Sequence, residues 1–143
     1  MKAAVGALDR LARVLGRDNP DKLPEHLITG RKGEEVAYFY LRKQGYVIVA
    51  RNWRSARHRG ELDLVGWDGD VLCFVEVKTR TTRDVKPAEA AVDEEKRRDL
   101  SAVARDYRMR LKDEPPFRFD IVSLYDEGGK PEITLFRNAF AAR

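Results

Sequence analysis

In the stretch GELDLVGWDGDVLCFVEVKTR, residues 60–80, the charged residues Glu61, Asp63, Glu76 and Lys78 fall at alternate positions of two runs rich in Val, Leu and Phe. Side chains alternate across a strand with period two, so the members of each pair share a face when the chain is extended. The runs read as a β-hairpin around Asp68-Gly69, a two-residue loop suited to a type I′ turn. That loop pairs Trp67 with Asp70, Val65 with Leu72, Asp63 with Phe74 and Glu61 with Glu76. Glu61, Asp63, Glu76 and Lys78 then stand on one face, with Asp63 diagonal to Glu76 at roughly 7–8 Å between backbones. Like charges on adjacent strands destabilise a hairpin unless a cation or a raised pKa relieves them. A divalent ion does so, and Mg²⁺ takes one or two carboxylates, further oxygens and retained waters. Asp63, Glu76 and the backbone carbonyl of Val77 form such a protein-side set, with Mg²⁺ or Mn²⁺ as the ion and Lys78 beside its water. The alternative is a solvated strand face with ordinary alternating charges. A one-residue slip would send Asp63 to the face opposite Glu76.

Several elements must position this hairpin. Tyr46 to Arg54 reads as a preceding strand, giving three in succession. Before it, Thr29 can N-cap a helix whose stripe is Val36, Ala37, Tyr40 and Leu41 and which ends at Gln44-Gly45. Glu34 points along the buried side of this helix, where it either favours the helix N-terminus or serves a site; Glu35 is its more exposed neighbour. After the hairpin, Thr79 to Lys86 has no periodic apolar pattern and reads as a loop, with Arg80 at its start able to grip a backbone. A second helix is expected from Pro87, carrying Val92, Leu100, Val103, Ala104 and Tyr107 with a break at Asp93. Lys96 lies on it, and Arg97, Arg98, Arg105, Arg108 and Arg110 read mostly as solvated. Pro115-Pro116 closes the helical region, Phe117 to Tyr125 and Ile133 to Phe136 read as strands, and Asp126 to Pro131 as a turn. The order predicts an α/β fold with a mixed central sheet of about five strands flanked by helices.

Arg51, Arg54, Arg57 and Arg59 crowd one short span with Trp53 and His58, just before the acidic hairpin. They form a candidate phosphate-contacting patch, or else a solvated connection between strands. The formal net charge of +4 is modest, because Lys and Arg are nearly matched by Asp and Glu, so distribution counts for more than total.

Asp63 followed, after a strand and turn, by Glu76-Val77-Lys78 resembles the acidic core of the PD-(D/E)xK nucleases, the restriction-endonuclease-like superfamily. The longer set GRKGEEVAYFYL, QGY, ARNWR, GELDL, FVEVKTR, RFDIV and NAF resembles the YraN-like group of small bacterial proteins, predicted to be nucleases, over roughly Thr29 to Phe140. Leu62 stands before Asp63 where the superfamily motif has proline. The resemblance implies a restriction-endonuclease-like core and Mg²⁺-dependent hydrolysis of phosphodiesters, with Asp63 and Glu76 holding the metal and Lys78 orienting water or stabilising charge. It carries Glu34, after G-x-x-G, into the catalytic set and brings Lys96 to the acidic face or the scissile phosphate. Arg54, Arg57, Arg59, Arg80 and Lys96 are then the expected nucleic-acid contacts. Related junction resolvases act as dimers on branched DNA, so structured DNA ahead of RNA, and a homodimer, are the implied partners. A binding module that no longer cleaves, or an interaction domain with a structural acidic face, is the rival reading.

The composition sets outer bounds. A chain of 143 residues, 43% apolar and 36% charged, suits one globular domain with a real core. Residues 1–28 read as an extension, with a short helix through Leu8, Leu11, Ala12 and Leu15 and a linker at Asn19-Pro20-Asp21, ahead of a nuclease domain over 29–143. Asp9, Arg10 and Arg13 interrupt any secretory core, and no stretch reaches membrane-spanning length. The lone Cys73 excludes an intrachain disulfide and a thiolate zinc cluster, so the cytoplasm is the expected compartment.

Overall fold

A computed structural model describes residues 25–80, 92–125 and 131–143, with side chains from Lys32 onward. The elements are α1 (Glu25–Lys43), β1 (Val47–Arg54), β2 (Glu61–Asp68), β3 (Val71–Arg80), α2 (Glu94–Arg108), β4 (Phe117–Tyr125) and β5 (Glu132–Phe140). The strands form one sheet in the order β1-β2-β3-β4-β5, parallel between β3 and β4 and antiparallel elsewhere. A parallel pair needs a crossover connection, and α2 lies within it.

Period-two alternation divides the core between two layers. Cys73 and Val75 of β3 and Val122 and Leu124 of β4 pack with Ala37, Tyr38 and Leu41 of α1. Leu72, Phe74, Phe119 and Ile121 pack on the other face with Leu100, Val103 and Ala104 of α2. Strands covered on both faces read as nearly continuous apolar runs, as β3 and β4 do. The helix α2 starts at the expected break: Asp93 is its N-cap and accepts the Lys96 backbone N–H at 2.9 Å. None of the described helices is long and apolar enough to cross a membrane.

The hairpin forms, but its turn lies one residue later than Asp68-Gly69. Trp67 faces Leu72 and Asp68 faces Val71, leaving Gly69-Asp70 as the loop. Gly69 has φ 60° and Asp70 is not among the residues with positive φ. A positive φ at the first loop position alone belongs to a type II′ turn, where glycine is required, rather than to type I′. Pairing thus shifts by two residues, which leaves every side chain on its expected face.

Two boundaries also differ. The helix α1 begins at Glu25, directly after Pro24, so Thr29 lies inside it and is not its cap; proline fits just ahead of a helix but not within one. The last strand extends to Phe140, and its added length brings Asn138 to the buried Asp120. The expected N-terminal helix, the loop beyond Arg80, the helix start at Pro87 and most of the turn before Pro131 fall outside the described residues.

Candidate metal centre

The chemistry-bearing residues gather where β2 and β3 part. Their paired ladder ends at Leu64 and Val75. Beyond it β2 stays with β1 as far as Arg54 and Glu61, while β3 stays with β4 as far as Arg80 and Tyr125. A wedge opens between them. Asp63 fills its apex, its Oδ2 accepting the Val77 backbone N–H at 2.8 Å, so a side chain takes over from the ended ladder.

Glu34 reaches the wedge because α1 sits very close to β3. A Cβ on Gly33 would clash with Thr79 Oγ1 and crowd Leu124 Cδ1 at 3.3 Å, so glycine lets the helix come this close without those side chains having to shift. From β1, Asn52 closes the arrangement. Its Nδ2 donates to Glu34 Oε2 at 2.9 Å and to Glu61 Oε1 at 2.7 Å. Asn52 has φ 51°, a left-handed conformation that asparagine tolerates better than most residues. As a result Glu34, Glu61 and Asp63 each present a carboxylate oxygen, all within 4.8 Å of one another.

Glu76 has different company. It is buried, and its Oε1 lies 2.6 Å from Lys96 Nζ and 3.3 Å from Lys78 Nζ. One carboxylate oxygen therefore holds two ammonium groups at the wall of an open cleft of about 390 Å³ that Glu61, Asp63, Glu76 and Lys96 help to line.

The electrostatics follow from this crowding. Burial, then the Glu76 charge, hold the Asp63 carboxyl well above the usual carboxylate range, against the opposing Val77 N–H bond. Burial also raises Glu34, outweighing the Asn52 bond and the Arg51 charge, with Glu61 and Glu76 adding to the rise. Among the lysines, burial and the neighbouring Lys96 lower Lys78. For Lys96 burial acts downward too, but the Glu76 charge and hydrogen bond outweigh it and the ammonium is raised.

Of the residues expected from sequence, Glu34, Asp63, Glu76, Lys78 and Lys96 converge here, drawn from α1, β2, β3 and α2. Val77 contributes its N–H to Asp63. Arg54 is exposed and its Nη2 lies 2.8 Å from Glu61 Oε2, at the rim. Arg57 and Arg59 lie exposed in the β1–β2 connection. That connection is tied to α2 by the Ser55 hydroxyl, which donates to Asp106, and by Gly60 against Asp99 and Val103. Arg80 is half-buried at the end of β3. Asn52 was not singled out from sequence, and Glu61 was placed on the acidic face but not in the metal set. An asparagine within a run of strand formers is the signal for the first, since that residue often marks a local break in extended backbone.

A five-stranded mixed sheet between two helices, with carboxylates where two central strands diverge, has the restriction-endonuclease-like α/β arrangement. The chain belongs to the family described as "Uncharacterised protein family UPF0102", the YraN family, which matches residues 33–124. It is 60% identical over 121 residues to a UPF0102 protein of Koribacter versatilis, covering 85% of this chain and 84% of that one. A UPF0102 protein of Solibacter usitatus is 48% identical over 137 residues, covering 95% and 99% respectively. One from Porphyromonas gingivalis is 42% identical over 120 residues, covering 82% and 87%.

Proposed function

We propose that this protein is a metal-dependent nuclease that hydrolyses phosphodiester bonds, with structured or branched DNA as its first substrate class. The observation that carries the proposal is the convergence of Glu34, Glu61 and Asp63 oxygens within 4.8 Å, beside a carboxylate that holds two lysines. Hard oxygen donors of this kind suit Mg²⁺ or Mn²⁺ rather than a thiolate-seeking ion. Asp63 belongs both to this trio and to the Asp63, Glu76 and Val77 set expected from spacing. When bound, the ion would polarise the phosphate and lower the pKa of a water.

The chain's own groups do the rest. The Val77 N–H fixes Asp63, and Asn52 holds Glu34 and Glu61 together. Glu76 holds the ammonium groups of Lys78 and Lys96 where negative charge grows on the phosphate in the transition state. Arg54 beside Glu61, Arg57 and Arg59 in the β1–β2 connection and Arg80 at the end of β3 serve as phosphate contacts. A homodimer working in the cytoplasm completes the proposal, in keeping with the free, buried Cys73.

The rival reading, a nucleic-acid-binding module without cleavage, draws on Lys96 at 2.6 Å from Glu76, an internal cation already at the acidic wall. Calorimetric titration with Mn²⁺ separates the two. The nuclease is expected to bind the ion, to lose it in Asp63→Asn, and to cleave at least one of duplex, single-stranded, flap and four-way-junction DNA. Absence of ion binding, with or without DNA present, would leave the binding module ahead.

A further inference from the structure

The C-terminal end of α2 carries a second basic surface that the acidic cleft does not use. Arg105 and Arg110 are exposed there, and Arg108 is half-buried. The guanidinium of Arg108 lies 3.8 Å from the Phe117 ring centroid and that of Arg110 lies 5.2 Å from that of Trp53. Stacking on rings fixes a guanidinium without spending its in-plane donors. Among the described residues, Arg105, Arg108 and Arg110 have no ion-pair partner. Of the acids beside them, Glu114 lines the groove of Arg105 and Arg108, and Asp106 is engaged by the Ser55 hydroxyl, which also accepts the Arg57 backbone N–H. Met109, the C-cap residue, is 70% exposed and lies where two surface grooves meet, one lined by Arg57 and Arg110 and the other by Arg105 and Arg108. A helix C-terminus favours the basic residues of its last turn, Arg105 and Arg108, whereas Arg110 lies beyond the C-cap. Preorganised arginines around an exposed apolar side chain match a chain of phosphates interrupted by less polar sugars.

We propose that this end of α2 is a second backbone-binding surface for nucleic acid, so that the substrate is a polymer spanning from the acidic cleft to Arg108. The choice of nucleic acid rests on the nuclease reading. From Lys96 to Arg108 the helix rises about 18 Å at ~1.5 Å per residue. That equals about five base pairs of duplex at ~3.4 Å per phosphate along a strand, beyond the reach of a mono- or dinucleotide.

The test is the salt dependence of binding of a fluorescent mixed-sequence duplex, measured by anisotropy with Ca²⁺ present. In the triple variant Arg105→Gln, Arg108→Gln, Arg110→Gln, affinity is expected to fall by on the order of tenfold at about 100 mM salt, and the logarithmic salt slope to fall by about 0.9 for each phosphate that is no longer neutralised. The corresponding lysine variant is expected to keep the slope. Arg105 stacks on no ring among the described residues, so Arg105→Gln alone carries the measurement if the triple variant melts early. Unchanged affinity and slope in a folded glutamine variant would overturn the proposal, and would point to an acidic protein as the surface's partner. The two readings fail separately: loss of slope in the variant of a protein that neither binds Mn²⁺ nor cleaves sinks the hydrolase alone, while an unchanged slope in a cleaving enzyme sinks the second surface alone.

Discussion

Asp63, half-buried on β2, and Asp120, fully buried on β4, belong to one sheet, yet their surroundings are opposite. Asp120 is fully buried and accepts from the Tyr46 hydroxyl, Arg118 Nε and the Asn138 backbone N–H, each at 2.9 Å. Arg118 extends the network to Asp68 at 2.6 Å, so contacts from β2, β4, β5 and the entry to β1 meet around one carboxylate. Burial and the Asp120 charge push the Tyr46 hydroxyl upward and the Cys73 thiol to about 12, keeping both neutral. Asp63 has one backbone donor and faces further carboxylates. A buried acid surrounded by donors holds a fold together. One surrounded by acids carries a charge that folding makes harder to hold.

The largest expected effect tests the Asp120 side. Asp120→Ala would leave Arg118 and Tyr46 without their buried acceptor, and breaking such a pair costs about 3–5 kcal/mol. Urea unfolding is expected to show that loss, and a change below about 1 kcal/mol would remove the distinction between the two regions.

The next effect is pH-dependent and belongs to the acidic side. Asp63 and Glu34 are raised from ordinary values of 3.8 and 4.5. Between those values and the raised ones, the folded protein keeps protons that the unfolded chain has released. Stability of the metal-free protein is therefore full at acid pH and falls as pH rises through that window, by up to about 1.4 kcal/mol per pH unit for each proton retained. Thermal melts at a series of pH values, with and without Mg²⁺, check it; Mg²⁺ is expected to flatten the decline, and a rise of metal-free stability across the window would refute the shifts.

The smallest effect divides residues that look alike in sequence. Asp63→Asn relieves repulsion while keeping an oxygen for the Val77 N–H, so in metal-free buffer it is expected to be neutral or to gain about 0.2–1 kcal/mol, the scale of cross-strand pairs. Glu76→Gln leaves Lys78 and Lys96 facing each other without their shared carboxylate, so it is expected to lower the melting temperature. Equal shifts of the same sign in the two variants would mean that Glu76 shares the repulsion of Asp63 rather than compensating the lysines.

The sequence by itself determined which strand faces carry chemistry. The alternation of Glu61, Asp63, Glu76 and Lys78 with apolar neighbours is a local property of extended backbone, and it survived a two-residue shift in the turn because that shift preserves parity. Strand β4, the glycine end of α1 and the Asp93 break were legible for the same reason, since turn and capping preferences act over a few residues. Only the tertiary structure decided which acids meet. Glu34 stands near Asp63 because Gly33 lets a helix touch Thr79, and Asn52 joins Glu34 to Glu61 across three elements. Glu76 turned toward Lys96, a residue twenty positions away, and the arginines of α2 became a surface only when the β1–β2 connection was tied beside them. Desolvation and charge pairing depend on neighbours in space, which come from distant parts of the chain, and local periodicity carries no record of them.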